Sequence, residues 1–123
     1  MNYERIKNRR VLVTGGAGFI GSNLCEDLLI NDNKVVCLDN FSTGHKENIL
    51  PFLTNKNFKL VEGDICSIDI CNEAMTDIDI VLHQAALGSV PRSLNDPIAT
   101  NNTNVSGFLN VLVAARDAKV KRF

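Results

Sequence analysis

The chain has 123 residues, of which 45% are hydrophobic and 22% charged, and its net charge is −1. These values are typical of a globular chain and exclude a disordered or a membrane-spanning one. The nearly balanced charge gives no electrostatic argument for a nucleic-acid partner, and no membrane partner is expected. Residues 1–10 lack the apolar stretch of a secretory signal, so we expect a cytoplasmic protein.

Strands and helices alternate along the sequence. The predicted strands are residues 10–14, 34–38, 58–61 and 80–83, with the opening of a fifth at 120–123. The predicted helices are residues 19–31, 46–53, 68–75 and 96–118. In the last of these, Asp96 is expected to cap the helix and Pro97 to occupy its first position. The alternation predicts an α/β protein, with a parallel sheet covered by helices on both faces.

Four cysteines are distributed along the chain without a Cys-x-x-Cys pair. Cys25 and Cys37 lie within apolar patterns, which favours reduced thiols in a core over the disulfides of a secreted protein. The two histidines stand far from any metal-ligand spacing, and we predict no metal site.

A cluster of glycines joins the first predicted strand to the first predicted helix, within the segment VLVTGGAGFIGSNL. Gly15, Gly18 and Gly21 have the spacing G-x-x-G-x-x-G. In a dinucleotide-binding turn, these glycines would form the tight turn, admit a pyrophosphate to the backbone and let the helix pack on the strand. The N–H groups at the helix N-terminus would bind the diphosphate. No Lys-Ser/Thr pair follows, so this is not a P-loop.

An acidic residue stands at the end of the second predicted strand, about twenty residues further on, as dinucleotide binding requires. A carboxylate at Asp39 would accept hydrogen bonds from both ribose hydroxyls and repel a 2′-phosphate, which favours NAD over NADP. The alternative is that Asp39 and Asn40 are only turn residues. Strand, glycines, helix and acid together predict a doubly wound, Rossmann-type domain that extends over residues 1–123 and is incomplete at its fifth strand.

Several longer motifs of the sequence are shared with one enzyme family. These motifs are VTGGAGFIGSNL, DNFSTGHKENI, GDI, HQAALGSVPRS and NVSGFLNVLVAARDAKVKRF. They resemble the extended short-chain dehydrogenase/reductase family, and within it the NAD-dependent nucleotide-sugar 4-epimerases that act on UDP-N-acetylglucosamine or its uronic acid. The resemblance covers essentially the whole chain, and HQAALGSVPRS is its most specific segment. It implies an isomerase of polysaccharide biosynthesis.

The resemblance also implies cofactor-binding roles for residues that follow the predicted strands. Backbone amides of Phe19 and Ile20 would bind the pyrophosphate. The adenine would be bound by the Asp64 carboxylate and the Ile65 N–H, although Asp64 would otherwise be an ordinary turn residue. The rim of the adenosine ribose would be formed by Asn40, Ser42, Thr43 and Gly44. The nicotinamide ribose and pyrophosphate would be lined by Gln84, Ala85 and Ala86.

On the substrate side, the resemblance implies four residues at the start of the sugar-nucleotide cleft. These are Gly88, Ser89, Val90 and Arg92. Ser89 is the best candidate for a substrate contact, whereas Arg92 is equally well explained as a solvated surface cation. Asn104 and Asn110, on the long predicted helix, are better explained as surface or packing amides than as catalytic groups. His83 is expected to be a core histidine at the end of a strand.

The catalytic residues of the family are not found in this sequence. The family uses a Ser or Thr after the fifth strand and a Tyr-x-x-x-Lys pair, whose tyrosine removes the proton of the sugar 4-hydroxyl. Here the one tyrosine is Tyr3, and no Tyr-x-x-x-Lys occurs. We therefore assign no catalytic residue and expect the N-terminal part of an epimerase, inactive by itself. The alternatives are a 4,6-dehydratase or decarboxylase of the same family, and a non-catalytic NAD-binding module.

The family resemblance further implies a homodimer of the full-length protein, which would pair through the long predicted helix. Leu109, Leu112 and Val113 offer an apolar stripe for this contact, although the same residues could instead face the sheet.

Overall fold

A computed structural model of the chain describes residues 4–123; Tyr3 lies outside the described residues. Four strands form one parallel sheet in the order β3-β2-β1-β4. They are Arg10–Thr14 (β1), Lys34–Asp39 (β2), Phe58–Glu62 (β3) and Ile80–His83 (β4). All four predicted strands are confirmed, and β2 and β3 each extend one residue beyond the predicted end. In the register of the central strand, Leu12 lies opposite Val36 of β2 and Val81 of β4.

The central strand is buried on both faces. Val11, Leu12 and Val13 have no solvent-accessible surface. A strand covered on both sides needs an unbroken apolar run and not an alternating pattern, and the VLVT segment provides that run. The sheet is therefore the middle layer of the domain.

Helices pack on both faces of this sheet, as the alternation of elements predicted. The α-helices are Phe19–Ile30 (α1), Ile68–Ala74 (α2), Val90–Asn95 (α3), Pro97–Asn101 (α4) and Phe108–Asp117 (α5). On one face, Cys25 and Leu28 of α1 pack into a core with Val11 and Val13. On the other, α2 and α5 pack around Leu12 and Val81. Two apolar cores on opposite sides of one parallel sheet make this a doubly wound α/β fold.

The predicted helix over residues 46–53 is wrong in type. The structure has two short 3-10 helices there, Lys46–Asn48 and Leu50–Phe52. Pro51 lacks a backbone N–H, which disfavours a continuous α-helix. In addition, the Asn48 amide donates to the Ala17 carbonyl oxygen at 2.8 Å, which ties the segment to the glycine turn.

The long predicted helix begins as expected but is not a single α-helix. The Ala99 N–H donates to Asp96 Oδ1 at 3.1 Å, and Pro97 occupies the first helical position. Between α4 and α5, residues Asn102–Gly107 form a π-helical segment. Such an insertion shifts the helical phase, and π-helical turns are frequent at functional sites.

The sequence analysis missed α3, although both of its start signals are present. The Ser89 hydroxyl accepts a hydrogen bond from the Arg92 N–H at 3.3 Å, and a proline lies in the first turn.

The expected fifth strand is only partly formed. It is a single parallel bridge between Ile80 and Arg122, with the Val81 N–H donating to the Arg122 carbonyl at 2.9 Å.

All four cysteines are free thiols, and Cys25, Cys37 and Cys71 are buried. Burial raises the pKa of the Cys71 thiol to about 11, which keeps it protonated at neutral pH.

Among the helices of residues 4–123, none has the length and apolar character needed to cross a bilayer.

Candidate cofactor site

A cleft of about 350 Å³ opens where the four strands end at their carboxyl termini. The strand order reverses at β1, because β2 and β3 lie on one side of it and β4 lies on the other. Ligands of open α/β sheets bind at such a switch point. All fifteen residues predicted to bind the cofactor line this cleft. The sequence analysis did not assign four further lining residues, which are Leu38, Gly63, Leu87 and Thr103.

The first residue of the glycine turn requires glycine for two reasons. Gly15 has φ of 70°, in the left-handed region that side chains disfavour. A Cβ atom at this position would also lie only 2.8 Å from the Ala85 backbone nitrogen. The Gly15 N–H meanwhile donates to the Leu38 carbonyl oxygen at 2.8 Å. The turn therefore lies tightly between the ends of β2 and β4.

Gly21 is required by a close approach within the same turn. A Cβ atom there would collide with the carbonyl group of Gly15. The sequence analysis expected Gly21 to bring the helix onto the strand. In the structure its tight contact is with the turn that follows the strand.

Gly18 differs from these two glycines because the fold crowds it less. A Cβ atom placed on Gly18 would have the Gly15 carbonyl oxygen as its nearest heavy atom, at 3.3 Å, and Gly18 has an ordinary extended conformation. Gly18 lines the cleft. A side chain at Gly18 would need a shift of only a few tenths of an ångström in the fold, but it would stand at the wall of the cleft.

The N-terminus of α1 opens into the cleft without a side-chain cap. Its N-cap residue is Gly18, and the first intrahelical hydrogen bond runs from the Ser22 N–H to the Gly18 carbonyl at 2.9 Å. The N–H groups of Phe19 and Ile20 precede that bond and so lack intrahelical acceptors. No acidic side chain occurs in the first turn of α1, residues 19–22. This helix end is suited to an anion such as a diphosphate.

Asp39 is a buried carboxylate at the end of β2, and it also holds the glycine turn. Its Oδ2 accepts a hydrogen bond from the Ala17 N–H at 2.9 Å, and its Oδ1 accepts one from the Phe41 N–H at 2.8 Å. An ionised carboxylate has about four acceptor sites, so two remain for ribose hydroxyls. Turn chemistry and ribose binding, which the sequence analysis treated as alternatives, are compatible at this residue.

A second carboxylate lies beside the Ile65 N–H at the end of β3. The Cys66 N–H donates to Asp64 Oδ1 at 2.8 Å, and the Asn40 amide donates to Asp64 Oδ2 at 3.2 Å. Within residues 4–123, the Ile65 N–H makes no hydrogen bond, and both Asp64 and Ile65 line the cleft. The cleft thus has a charged acceptor next to a free backbone donor.

At the end of β4, Thr14 organises the backbone that lines the cleft. Its Oγ1 accepts hydrogen bonds from the N–H groups of Gln84 at 3.1 Å and Ala85 at 3.2 Å. The Thr14 hydroxyl proton is therefore free to be donated to His83 Nδ1, which lies 2.7 Å away. In this arrangement the neutral His83 ring carries its proton on Nε2.

His83 ends β4 as expected, but it is half-buried and not part of the core, and it stacks against Phe123 with ring centroids 6.1 Å apart. Burial lowers the pKa of His83 below its usual value of 6.5. The unfolded chain then binds this proton more readily than the folded protein. Stability is consequently lost as the pH falls through about 6.5 toward the folded-state pKa.

We expect the His83→Gln variant to lose stability less steeply than the wild type between about pH 7.5 and 5.5. Glutamine still accepts the Thr14 hydrogen bond but does not titrate. The measurement is the thermal midpoint of the intact protein as a function of pH. His45→Gln, which removes an exposed histidine, is the matched control. Equal pH dependence in the wild type and His83→Gln would contradict the assignment.

The four residues predicted to bind substrate do not line the cleft. They lie in the loop before α3 and in its first turn, where Ser89 serves as the N-cap and Val90 is 72% exposed. The preceding residue Leu87 does line the cleft, and it is held by Asn104. Asn104 Oδ1 accepts from the Leu87 N–H and its Nδ2 donates to the Leu87 carbonyl, both at 2.8 Å.

Comparison with known proteins identifies the chain's relatives. Residues 11–123 match the model of the NAD dependent epimerase/dehydratase family. The low-salt glycan biosynthesis protein Agl12 of Haloferax volcanii is 42% identical over 92% of this chain and 37% of its own length. UDP-glucuronic acid decarboxylase 1 of Danio rerio is 36% identical over 88% of this chain and 25% of its own length. The chain therefore spans between a quarter and two fifths of these relatives.

Solved structures of similar sequence share the fold. A UDP-N-acetylglucosamine 4-epimerase from Methanobrevibacter ruminantium M1 matches with a TM-score of 0.85 and 38% identity, over 94% of this chain and 36% of that one. The UDP-glucose 4-epimerase of Thermus thermophilus, solved with NAD, matches with a TM-score of 0.80 and 41% identity, over 90% and 35%.

A dTDP-glucose 4,6-dehydratase, DesIV from Streptomyces venezuelae, was also solved with NAD bound. It matches with a TM-score of 0.86 and 34% identity, over 92% of this chain and 37% of that one. The cofactor is NAD, and the buried acid, the open helix N-terminus and the cleft between them fit it. The fold, the motif match and these identities place the chain in the NAD-dependent epimerase/dehydratase family.

Proposed function

We propose that this chain is the NAD-binding part of a nucleotide-sugar 4-epimerase. The substrate would be UDP-N-acetylglucosamine, its galacto epimer or their uronic acids. The observation that carries the proposal is the cleft, in which the open N-terminus of α1 and the Asp39 carboxylate lie together. Two 4-epimerases that are 38% and 41% identical to this chain support this reaction. Residues 1–123 would form most of the cofactor-binding domain.

The chain's own residues would bind and orient the cofactor. The N–H groups of Phe19 and Ile20 would neutralise the diphosphate, and Asp39 would hold the adenosine ribose. Asp64 and the Ile65 N–H would bind the adenine. The segment after β4, fixed by Thr14, would line the nicotinamide half. When bound, NAD supplies a hydride acceptor that can oxidise a sugar hydroxyl and return the hydride.

The test of the reaction uses the intact protein, that is, the full-length enzyme of which this chain is proposed to be the NAD-binding part. It is incubated with NAD and UDP-N-acetylglucosamine. Formation of the galacto epimer, followed by NMR, is the expected result. The decarboxylase relative favours one alternative, in which UDP-glucuronic acid would lose its carboxylate as carbon dioxide. The dehydratase neighbour favours another, a 4-keto-6-deoxy product from a nucleotide hexose. Either product in place of the epimer would overturn the epimerase proposal.

Asp39 is expected to make the intact protein prefer NAD over NADP, because its buried carboxylate would face a 2′-phosphate. Asp39→Asn keeps an acceptor but removes the charge, so it should bring the two affinities closer together. Asp39→Ala should weaken NAD binding by about 1–3 kcal/mol, because ribose hydrogen bonds to a charged group are lost. Calorimetric titration measures both effects. A wild-type preference for NADP would reject the role of Asp39.

We also propose a homodimer through α5, in keeping with the family resemblance. Leu109 and Leu112 are 55% and 39% exposed, whereas Val111 and Ala114 of the same helix are buried against the sheet. Leu109 and Leu112 therefore do not serve the sheet and are available to a partner, whereas Val113 is half-buried.

A further inference from the structure

The amide of Asn110 holds the loop that follows β3. Asn110 lies on α5, and its Nδ2 donates to the Ile65 carbonyl oxygen at 2.9 Å. The Cys71 thiol donates to the same oxygen at 3.4 Å. The sequence analysis explained Asn110 as a packing amide, and it did not connect this residue with the cleft. Its acceptor belongs to a residue that lines the cleft.

The same contact orients the Asp64 carboxylate through one peptide group. The Ile65 carbonyl and the Cys66 N–H are the two ends of a single planar peptide. Asn110 donates to one end, and the other end donates to Asp64 Oδ1 at 2.8 Å. Rotation of this peptide would therefore break both hydrogen bonds. Hydrogen bonds at opposite ends of one peptide also polarise and strengthen each other.

The Ile65 side chain is fixed by the helix as well. It is only 5% exposed, and a Cβ atom at Gly107 would lie 2.7 Å from Ile65 Cδ1. Gly107 ends the π-helical segment, so the irregular part of the long helix fits closely around this residue. With its carbonyl and its side chain both held by the helix, Ile65 has little freedom to redirect its own N–H.

We propose that Asn110 is a positioning residue that sets the base selectivity of the cofactor site. It fixes the direction of the Asp64 carboxylate and the Ile65 N–H, which together form a neighbouring acceptor and donor. This inference rests on the proposed binding of adenine by Asp64 and Ile65. Asn110 itself does not contact the base in this arrangement.

The acceptor and donor complement adenine and oppose hypoxanthine. Adenine presents an amino donor at N6 beside an acceptor at N1. Hypoxanthine presents a carbonyl acceptor at position 6 and an N–H donor at N1. The Asp64 carboxylate would then face an acceptor, and the Ile65 N–H would face a donor. A rigid pair therefore disfavours hypoxanthine, because both hydrogen bonds would be lost and like groups would face each other. A pair that can rotate discriminates less well.

The experiment measures the dissociation constants of NAD and of nicotinamide hypoxanthine dinucleotide in the intact protein. Asn110→Leu removes the donor at similar volume, and Asn110→Asp keeps the shape but cannot donate when ionised. We expect the wild type to prefer NAD by a factor on the order of ten or more. Both variants should lower that ratio by about fivefold or more, chiefly by weakening NAD binding.

Asn104→Leu is the matched control, because it removes the amide that holds Leu87 instead of the loop after β3. It should change both dissociation constants without lowering their ratio. An unchanged ratio in folded Asn110→Leu and Asn110→Asp would overturn the inference, as would an equal fall in Asn104→Leu. A wild type that does not distinguish the two dinucleotides would instead refute the proposed adenine site.

Discussion

Replacing Gly18 with valine is expected to abolish NAD binding while the protein remains folded. A β-carbon there would lie 3.3 Å from the Gly15 carbonyl oxygen, a tight contact that a shift of a few tenths of an ångström relieves, and Gly18 has φ of −78° and ψ of 175°. These dihedral angles are open to any residue. The side chain would instead stand in the cleft beside the N–H groups of Phe19 and Ile20, where the diphosphate is proposed to lie.

The expected loss of affinity is on the order of a hundredfold or more, because charge-assisted hydrogen bonds from these N–H groups would be lost. NAD titration of the intact protein measures it, and the thermal midpoint without NAD checks the fold. Gly18→Ala provides a graded comparison and should give an intermediate affinity. A folded Gly18→Val protein that binds NAD as tightly as the wild type would show that Gly18 belongs only to a turn.

The strands were predictable because each is a short run rich in apolar residues, and turn signals follow β1, β2 and β3. Burial of both faces of β1 replaces the alternating pattern of a half-buried strand with an unbroken apolar run, and its short length and β-branched residues identify that run as a strand. The π-helical segment at Asn102–Gly107 was not predictable. It depends on the fit of Gly107 around Ile65, which lies far earlier in the sequence, in the loop after β3. Helical periodicity reports local spacing and carries no information about such a contact.

The cleft was predictable where its residues follow strands directly, because parallel strands all end at the same edge of the sheet. Thr14 was missed because it is also an ordinary β-branched strand residue. Its hydroxyl acts on Gln84 and Ala85, which are brought near by the pairing of β1 with β4. Thr103 was missed because it lies on the π-helical segment, whose geometry determines which side chains reach the cleft.

Gly21→Ala is expected to destabilise the protein, although helix propensity alone predicts the opposite. Gly21 lies inside α1, where alanine is normally more stable than glycine by about 0.5–1 kcal/mol. In this structure the new methyl group would collide with the Gly15 carbonyl. Gly15 cannot easily move away, because its N–H is bonded to the Leu38 carbonyl and the Ala85 backbone leaves no room for a β-carbon beside it.

The collision should therefore exceed the gain in propensity, with a net loss of about 1–3 kcal/mol, as is usual for overpacked sites. Chemical denaturation of the intact protein without NAD measures this loss. Glu26→Ala, at an exposed position of the same helix, is the control and should change stability by no more than about 0.5 kcal/mol. A Gly21→Ala protein as stable as the wild type would mean that α1 can move away from the turn. In that case the N–H groups of Phe19 and Ile20 would not be held rigidly toward the cleft, and diphosphate binding there would require the helix to be ordered by the ligand.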